Sequence, residues 1–237
     1  MPTAAILTIG NELTSGDVRD ANGVWLAQRL ERIGVSVAIL AAVPDEIEAV
    51  ARFIEREAAL ADFVLVTGGL GGTPDDVTRE AIAAAFGVPQ VEQPEVADSL
   101  RARFHRDPEY AARWAQLPEG SRALENPLGG APGFAIGNVY VLPGLPAEME
   151  AMFETLVTEL QAGTPIGSWR RTYRTTESRI VGVLEAMDEL HPGVLVGSYP
   201  SFDEGGSEVE VVVKSADPDL LASAVAWIEP ELKRVTG

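Results

Sequence analysis

Residues 65–78, LVTGGLGGTPDDVT, set four glycines and two adjacent carboxylates, Asp75 and Asp76, between an apolar run and a helical run. Glycines let a backbone approach a ligand closely and turn several N–H groups into one concavity. A helix N-terminus behind them adds about half a unit of positive charge. The combination suits phosphate, although the lysine of a Walker loop and the GxGxxG spacing are both absent. Aspartates oppose an anion unless a divalent cation bridges the two, and Mg²⁺ takes one or two carboxylates together with phosphate oxygens and water. Glu12 and Asp45, in the loops GNELTSGD (10–17) and PDE (44–46), offer further oxygens of the same kind. A structural role competes for these aspartates. Thr73 is a good N-cap, Pro74 suits the first helical position, and Asp76 falls where a capping box closes. The two roles are compatible.

Such loops need a scaffold. TAAILTI (3–9) is a short apolar run ending at Gly10 and reads as a buried strand. ANGVWLAQRLERI (21–33) puts Val24, Leu26, Ala27, Leu30 and Ile33 at helical spacing, and Gly34 ends the helix. VSVAILAAV (35–43) is a second strand, and DEIEAVARFIEREAAL (45–60) a helix opening at Asp45. DFVLVTGG (62–69) is a third strand, and 75–86 a helix closed by Gly87. This alternation demands parallel strands joined by crossovers, hence an α/β doubly wound sheet with its ligands beyond the carboxyl ends of the strands. Residues 88–127 break the rhythm with prolines, Arg101, Arg103, Arg106 and Trp114, and predict one or two surface helices and a long loop. FAIGNVYVLPG predicts a hairpin turning at Gly137-Asn138, followed by a helix from near Pro146.

After Gly163 the turn-rich GTPIGSW marks a boundary. Beyond it a strand (172–180), a helix (181–190), strands at 194–199 and 208–214 and a helix (218–234) give a small α+β unit of βαββα order. That order is in the manner of an incomplete ferredoxin-like fold. The expected domains are 1–165 and 166–237.

Composition narrows the function classes. With 46% apolar residues the chain is a globular one, and no apolar run nears the roughly 20 residues of a membrane span. The start, MPTAAILTIGNEL, lacks the basic flank and cleavage pattern of a signal peptide, and the absence of cysteine removes disulfides and thiolate metal sites. The cytoplasm is the expected compartment. Thirty-six acidic residues against 18 basic ones, with only Lys214 and Lys233 as lysines, leave a net charge of -18. Such a surface disfavours nucleic acid and anionic membranes as partners. The acid excess with little lysine fits adaptation to molar salt, where self-repulsion is screened.

Several separated segments carry a family resemblance: TIGNELTSGD (8–17), the Asn22 region, VPDEIEAV (43–50), TGGLGGTPDDVTREAIAAAFG (67–87), LPEGSRALENPLGGAPGF (117–134) and LPGLPAEM (142–149). In this order they resemble the MoaB/Mog molybdopterin-binding domain, and within it the N-terminal domain of the CinA (competence/damage-inducible protein A) branch. The resemblance covers about residues 1–165, and 166–237 is more loosely similar to the small domain that follows in that branch. It implies a three-layer αβα domain binding a pterin, molybdopterin included, or an adenine-nucleotide diphosphate at the glycine-rich edge. Asp45 and Asp76 match functional aspartates of the molybdenum-cofactor enzymes. The Gly68, Gly69 and Gly71 backbone, Thr73 and the Pro143-Gly144-Leu145-Pro146 turn match ligand-contacting motifs, with Gly10, Glu12, Asn22 and Thr67 in the same motifs.

Asn22 reads equally as a helix N-cap. Glu12, Asp45, Asp75 and Asp76 are the candidate ligands for Mg²⁺, Mn²⁺ or Co²⁺. In this branch and in flavin-nucleotide synthases a similar site is associated with metal-dependent pyrophosphate cleavage of ADP-ribose or FAD, and a dimeric or trimeric homo-oligomer is expected. Gly72, where the branch usually has proline, and Leu145, where proline or a small residue is common, are expected to loosen the loop. The resemblance does not extend to the C-terminal nicotinamide-nucleotide amidase domain of many such proteins, so that activity is not expected here.

Other candidates are weaker. His105 and His191 sit in different domains and make a poor metal pair. Ser15, Ser99 and Ser201 lack a G-x-S-x-G setting. The Arg101, Arg103, Arg106 cluster is a solvated helix face or, in the sharper reading, a lid on ligand phosphate. Trp25 is core or interface. Three readings remain: a metal-dependent pyrophosphatase, a molybdenum-cofactor step such as adenylylation or metal insertion, and a binding module without turnover. The charge generates its own test. Melting temperature is expected to rise steeply with KCl, and a flat response would contradict the salt-adapted reading.

Overall fold

The computed structural model describes residues 2–161, 163–203 and 206–237. The chain divides into two compact units, Met1–Gly163 and Thr164–Gly237.

In the first unit, strand β1 (Thr3–Ile9) lies between β2 (Ser36–Val43) and β3 (Phe63–Thr67), parallel to both. β3 pairs in parallel with β8 (Val139–Leu142), and the antiparallel β7 (Gly133–Ile136) and β6 (Arg122–Leu124) complete the order β2-β1-β3-β8-β7-β6. Side chains alternate along β1. Ala4 and Ile6 join one core with Leu26 and Leu30 of α2 (Ala21–Arg32) and Met152 and Phe153 of α7 (Pro146–Leu160). Ala5, Leu7 and Ile9 join the other, with Val50 and Ile54 of α3 (Ile47–Glu57) and Ala81 and Ile82 of α4 (Thr78–Phe86). The sheet is therefore covered on both faces, the three-layer αβα arrangement. That double burial is why β1 and β3 read as unbroken apolar runs. Trp25 packs edge-on against Phe153 at 5.5 Å. Phe153 is fully buried, and such a side chain contributes about 1.5–3 kcal/mol.

Two helices start later than their sequence pattern suggests. α3 begins at Ile47, not Asp45, because the Asp45 carboxylate accepts the Asn11 N–H at 2.8 Å and the Asn11 side-chain oxygen accepts the Asp45 N–H at 3.3 Å. α4 begins at Thr78 with Val77 at its cap, so the capping-box reading of Thr73, Pro74 and Asp76 is corrected: those residues form a turn ahead of the helix. The hairpin turns at Gly137, whose φ of 56° suits the first position of a type II′ turn. Asn138 then donates to the carbonyls of Ala58 and Ala61 at 3.1 and 2.9 Å.

Residues 88–127 hold more order than a long loop. β4 (Gln90–Glu92) pairs with β5 (Gln116–Pro118), and between them lie α5 (Pro94–Arg103), α6 (Pro108–Ala112) and a 3-10 turn. Ala97, Leu100, Ala111, Ala112 and Ala115 form a small core of their own there.

The second unit runs β9 (Gly167–Arg174), α8 (Glu177–Leu190), β10 (Leu195–Asp203), β11 (Gly206–Ser215) and α9 (Pro218–Thr236), with antiparallel order β10-β11-β9. The βαββα order is as expected, with β9 and α8 starting earlier because Trp169 and Tyr173 already point into the core beneath the sheet. No helix among the described residues is long and apolar enough to cross a membrane.

Candidate functional site

The chain leaving β1 turns to the α2 face of the sheet, and the chain leaving β3 turns to the α4 face. Between them, at the carboxyl ends of both strands, opens a cleft of about 360 Å³. This is the switch point at which open α/β sheets bind ligands. Its floor is Thr8 and Ile9 at the end of β1 with Thr67, Gly68 and Gly69 at the end of β3, and its rim holds Gly10, Glu12, Asn22, Asp45, Asp75, Asp76, Gly144 and Pro146.

The glycine-rich loop is gripped from below by the start of α4. Thr78 donates its hydroxyl to the Gly68 carbonyl at 2.8 Å and its N–H to the Gly69 carbonyl at 3.2 Å. The Arg79 guanidinium donates to the carbonyls of Leu70 at 2.7 Å and Gly71 at 2.5 Å. Peptides are planar and trans, so the N–H groups of Gly69 and Leu70 turn away from α4. Neither has a partner among the described residues. Successive free amides of this kind form an anion-binding concavity. Gly68 has to be glycine: its φ is 107°, and a Cβ would come within 2.2 Å of the Ile9 carbonyl oxygen.

Gly71, Thr73 and Pro143 do not line the cleft. Asp76 accepts the N–H groups of Gly71 and Thr73, each at 2.8 Å, together with the Thr73 hydroxyl. Pro143 presents its carbonyl to the Thr67 hydroxyl at 2.7 Å. At Gly72 the Tyr110 ring occupies the space a Cβ would take, its hydroxyl 2.6 Å from that position. Leu145, by contrast, is exposed.

Asn22 is not the N-cap of α2. Asp20 is, accepting the Gly23 N–H at 2.8 Å while also holding the Thr8 hydroxyl at 2.9 Å. Asn22 instead donates to the Gly144 carbonyl at 2.8 Å and the Thr67 hydroxyl at 3.2 Å, tying three loops together. Sequence reading missed Asp20, Arg79 and Tyr110. An aspartate directly before a helical run was a signal for Asp20, and an arginine beside the buried positions Ala81 and Ile82 was one for Arg79.

Burial raises the pKa of Asp45, and Glu12, Asp75 and Asp76 add to the rise against the Asn11 N–H, which lowers it. Burial lowers the pKa of Arg79, with Asp76 and Tyr110 opposing. Among the described residues no three Asp, Glu, His or Cys side chains converge into a protein-only metal cage. The donor set still fits a hard cation that takes one or two carboxylates and completes its shell with phosphate oxygens and water. Asp45, with one oxygen free of hydrogen bonds, and Glu12, whose carboxylate carries none among the described residues, suit that part best.

Comparison with known proteins matches residues 5–162 to a family described as "Probable molybdopterin binding domain" and residues 172–236 to one described as "FAD synthase, middle domain". A protein of Archaeoglobus fulgidus is 38% identical over 195 residues, covering 82% of this chain and 84% of that one. A CinA-like protein of Frankia casuarinae is 38% identical over 254 residues, covering 99% of this chain, which spans 59% of that relative's length. The crystal structure of the protein CinA from Thermoplasma acidophilum, titled as of unknown function, superposes with a TM-score of 0.63 at 28% identity. That likeness covers 68% of this chain and 99% of the other.

Two expectations follow from the geometry. Replacing Arg79 by Met strips the carbonyls of Leu70 and Gly71 of their donors and is expected to cost about 2–4 kcal/mol in urea unfolding, and an unchanged midpoint would remove Arg79 from this role. The second concerns pH. A carboxyl whose folded pKa is raised loses stability as pH rises through that pKa, so Asp45 is destabilising at neutral pH. Asp45→Asn keeps an oxygen for the Asn11 N–H and is expected to melt higher than the parent at neutral pH, the advantage vanishing as pH falls toward the ordinary aspartate value of 3.8. A gain independent of pH would contradict the electrostatic origin.

Proposed function

The chain belongs to the molybdopterin-binding domain family, in its CinA-like form, and on that premise we propose that its cleft binds the diphosphate of an adenine nucleotide or a pterin and cleaves ADP-ribose- or FAD-like substrates with the help of a divalent cation. The observation that carries the reading is the juxtaposition, in one cleft, of the glycine turn at Gly68 and Gly69, with the unpartnered Gly69 amide, and the carboxylates of Glu12, Asp45, Asp75 and Asp76. Amides alone bind an anion, and carboxylates alone bind a cation. A diphosphate held together with a cation uses both.

The roles divide by hydrogen bonding. The Gly69 amide, on the cleft floor, receives a phosphate oxygen. Asn22, fixed between Thr67 and Gly144, holds the opposite wall in register. Asp45, with Glu12 beside it, faces the cation. A bound Mg²⁺, Mn²⁺ or Co²⁺ supplies neutralisation of the diphosphate and a lowered pKa for its water. Asp76 keeps the loop in shape, which makes its substitution a poor probe of chemistry. The description of the 172–236 match as part of a FAD synthase supports a flavin-nucleotide-like ligand. Adaptation of the whole surface to high salt is part of the same proposal, since screening is what lets an anionic substrate approach a chain of charge -18.

The test is incubation in high KCl with ADP-ribose, FAD, NADH and ATP, with and without each cation, followed by product analysis. Cation-dependent release of AMP from ADP-ribose or FAD is expected, reduced about 100-fold or more in Asp45→Asn. AMP release that persists in chelator, or that Asp45→Asn leaves intact, would sink the assignment. Adenylyl transfer from ATP would favour the molybdenum-cofactor reading, and ligand-induced stabilisation without products would favour a binding module.

A further inference from the structure

In a chain of charge -18, cations without partners are a minority, and three of them lie at the end of α5, in the loop before α6 and in the turn after α6. Arg101 there takes the carboxylates of Glu92, Asp98 and Glu109. Once it has done so, Arg103 and Arg106 are left with no ion pair or hydrogen bond among the described residues, and so is Arg113. Arg103 and Arg106 are exposed and, with His105, rim a pocket of about 520 Å³. Phe104, Tyr110 and Trp114 form its walls, and Asp107 is the one carboxylate in its lining. Trp114 meets Phe104 at 5.1 Å and Tyr110 at 5.8 Å, both edge to face. The indole N–H of Trp114 is buried and meets no acceptor among the described residues.

These features select a ligand chemistry. Aromatic walls favour a planar ring. Two unpaired guanidiniums favour a phosphate, which they can grip with parallel N–H bonds. A simple anion would leave the aromatic walls unused, and a neutral aromatic would leave the arginines unused. The volume lies within the usual range for small-molecule sites.

We propose that this pocket is a second ligand site, separate from the cleft, for a nucleoside monophosphate or a compound of the same make-up, with its base against Trp114 and Tyr110 and its phosphate on Arg103 and Arg106. The site adjoins the cleft through one contact, since the Tyr110 ring that walls it also lies against Gly72 of the glycine-rich loop. A ligand stacked on Tyr110 bears on the loop that carries Asp75 and Asp76.

The test uses the full chain in EDTA, which removes cation-dependent binding in the cleft, so that failure here and failure of the catalytic reading are distinguishable. AMP, adenosine and inorganic phosphate are titrated by calorimetry and by tryptophan fluorescence. AMP is expected to bind more tightly than either fragment. The double variant R103Q/R106Q, both positions being exposed, is expected to keep its circular dichroism and to weaken AMP by about tenfold or more, leaving adenosine unchanged. Trp114→Phe is expected to remove the fluorescence response, which locates the ligand among the chain's four tryptophans. AMP binding of equal strength in R103Q/R106Q, a fluorescence response that survives in Trp114→Phe, or no AMP binding at all would each overturn the proposal.

Discussion

Four consecutive carbonyls, those of Gly68, Gly69, Leu70 and Gly71, are all drawn to the first two residues of α4. A peptide plane cannot turn its C=O one way without turning its N–H the other. The grip of Thr78 on the Gly68 and Gly69 carbonyls therefore turns the unpartnered amides of Gly69 and Leu70 the other way, while Arg79 fixes the next two peptide planes, the first of which gives its Gly71 N–H to Asp76. The glycines permit this conformation, and Thr78 and Arg79 select it. Arg79 is 8% exposed, and a buried guanidinium is tolerable only where its donors are met, so loop and arginine stabilise each other.

The same economy governs the acids. Asp20 and Asp76 look alike in a list of cleft carboxylates, yet each has its lone pairs committed to neighbouring backbone or hydroxyl groups. Asp45 has only one such bond and is crowded by Glu12, Asp75 and Asp76, so its charge is held at a cost that folding does not remove. Natural sequences keep costs of this kind where a ligand offsets them. Arg19 is the one cation among the residues lining the cleft, against the carboxylates of Glu12, Asp20, Asp45, Asp75 and Asp76, so the cleft carries an excess of negative charge.

Much of the architecture was legible because it rests on periodicity. Leu26 and Leu30 announce α2, Ile6 and Leu65 lie in runs that only a doubly covered strand explains, and Gly137-Asn138 announces the hairpin. The loops that line the cleft were legible too, since strand ends in an α/β sheet gather at one edge. What stayed hidden depends on side-chain partners distant in sequence. Nothing local distinguishes Asn22 as a cap from Asn22 as a tie to Gly144, 122 residues away. Asp45 reads as the first residue of a helix until Asn11 is brought beside it. Within 88–127 the surface helices were expected, and only the β4–β5 pair was missed, because strands of three residues carry little periodic signal.

Gly72 meets Tyr110 where the glycine-rich loop passes α6. Read along the chain, a glycine in place of proline means a looser loop, because it widens the accessible backbone and removes a packed ring. In three dimensions the ring is still present, supplied from outside by Tyr110, which occupies the volume a side chain at 72 would need. The packing partner of the loop at this point is Tyr110 of α6, and α6 is held by the small core of Ala97, Leu100, Ala111, Ala112 and Ala115. A proline fixes φ permanently, whereas a packed tyrosine, 42% exposed, fixes the loop only while its helix stays in place. The loop that carries Asp75 and Asp76 thus touches a segment that reads, in sequence, as a solvated helix face or a lid.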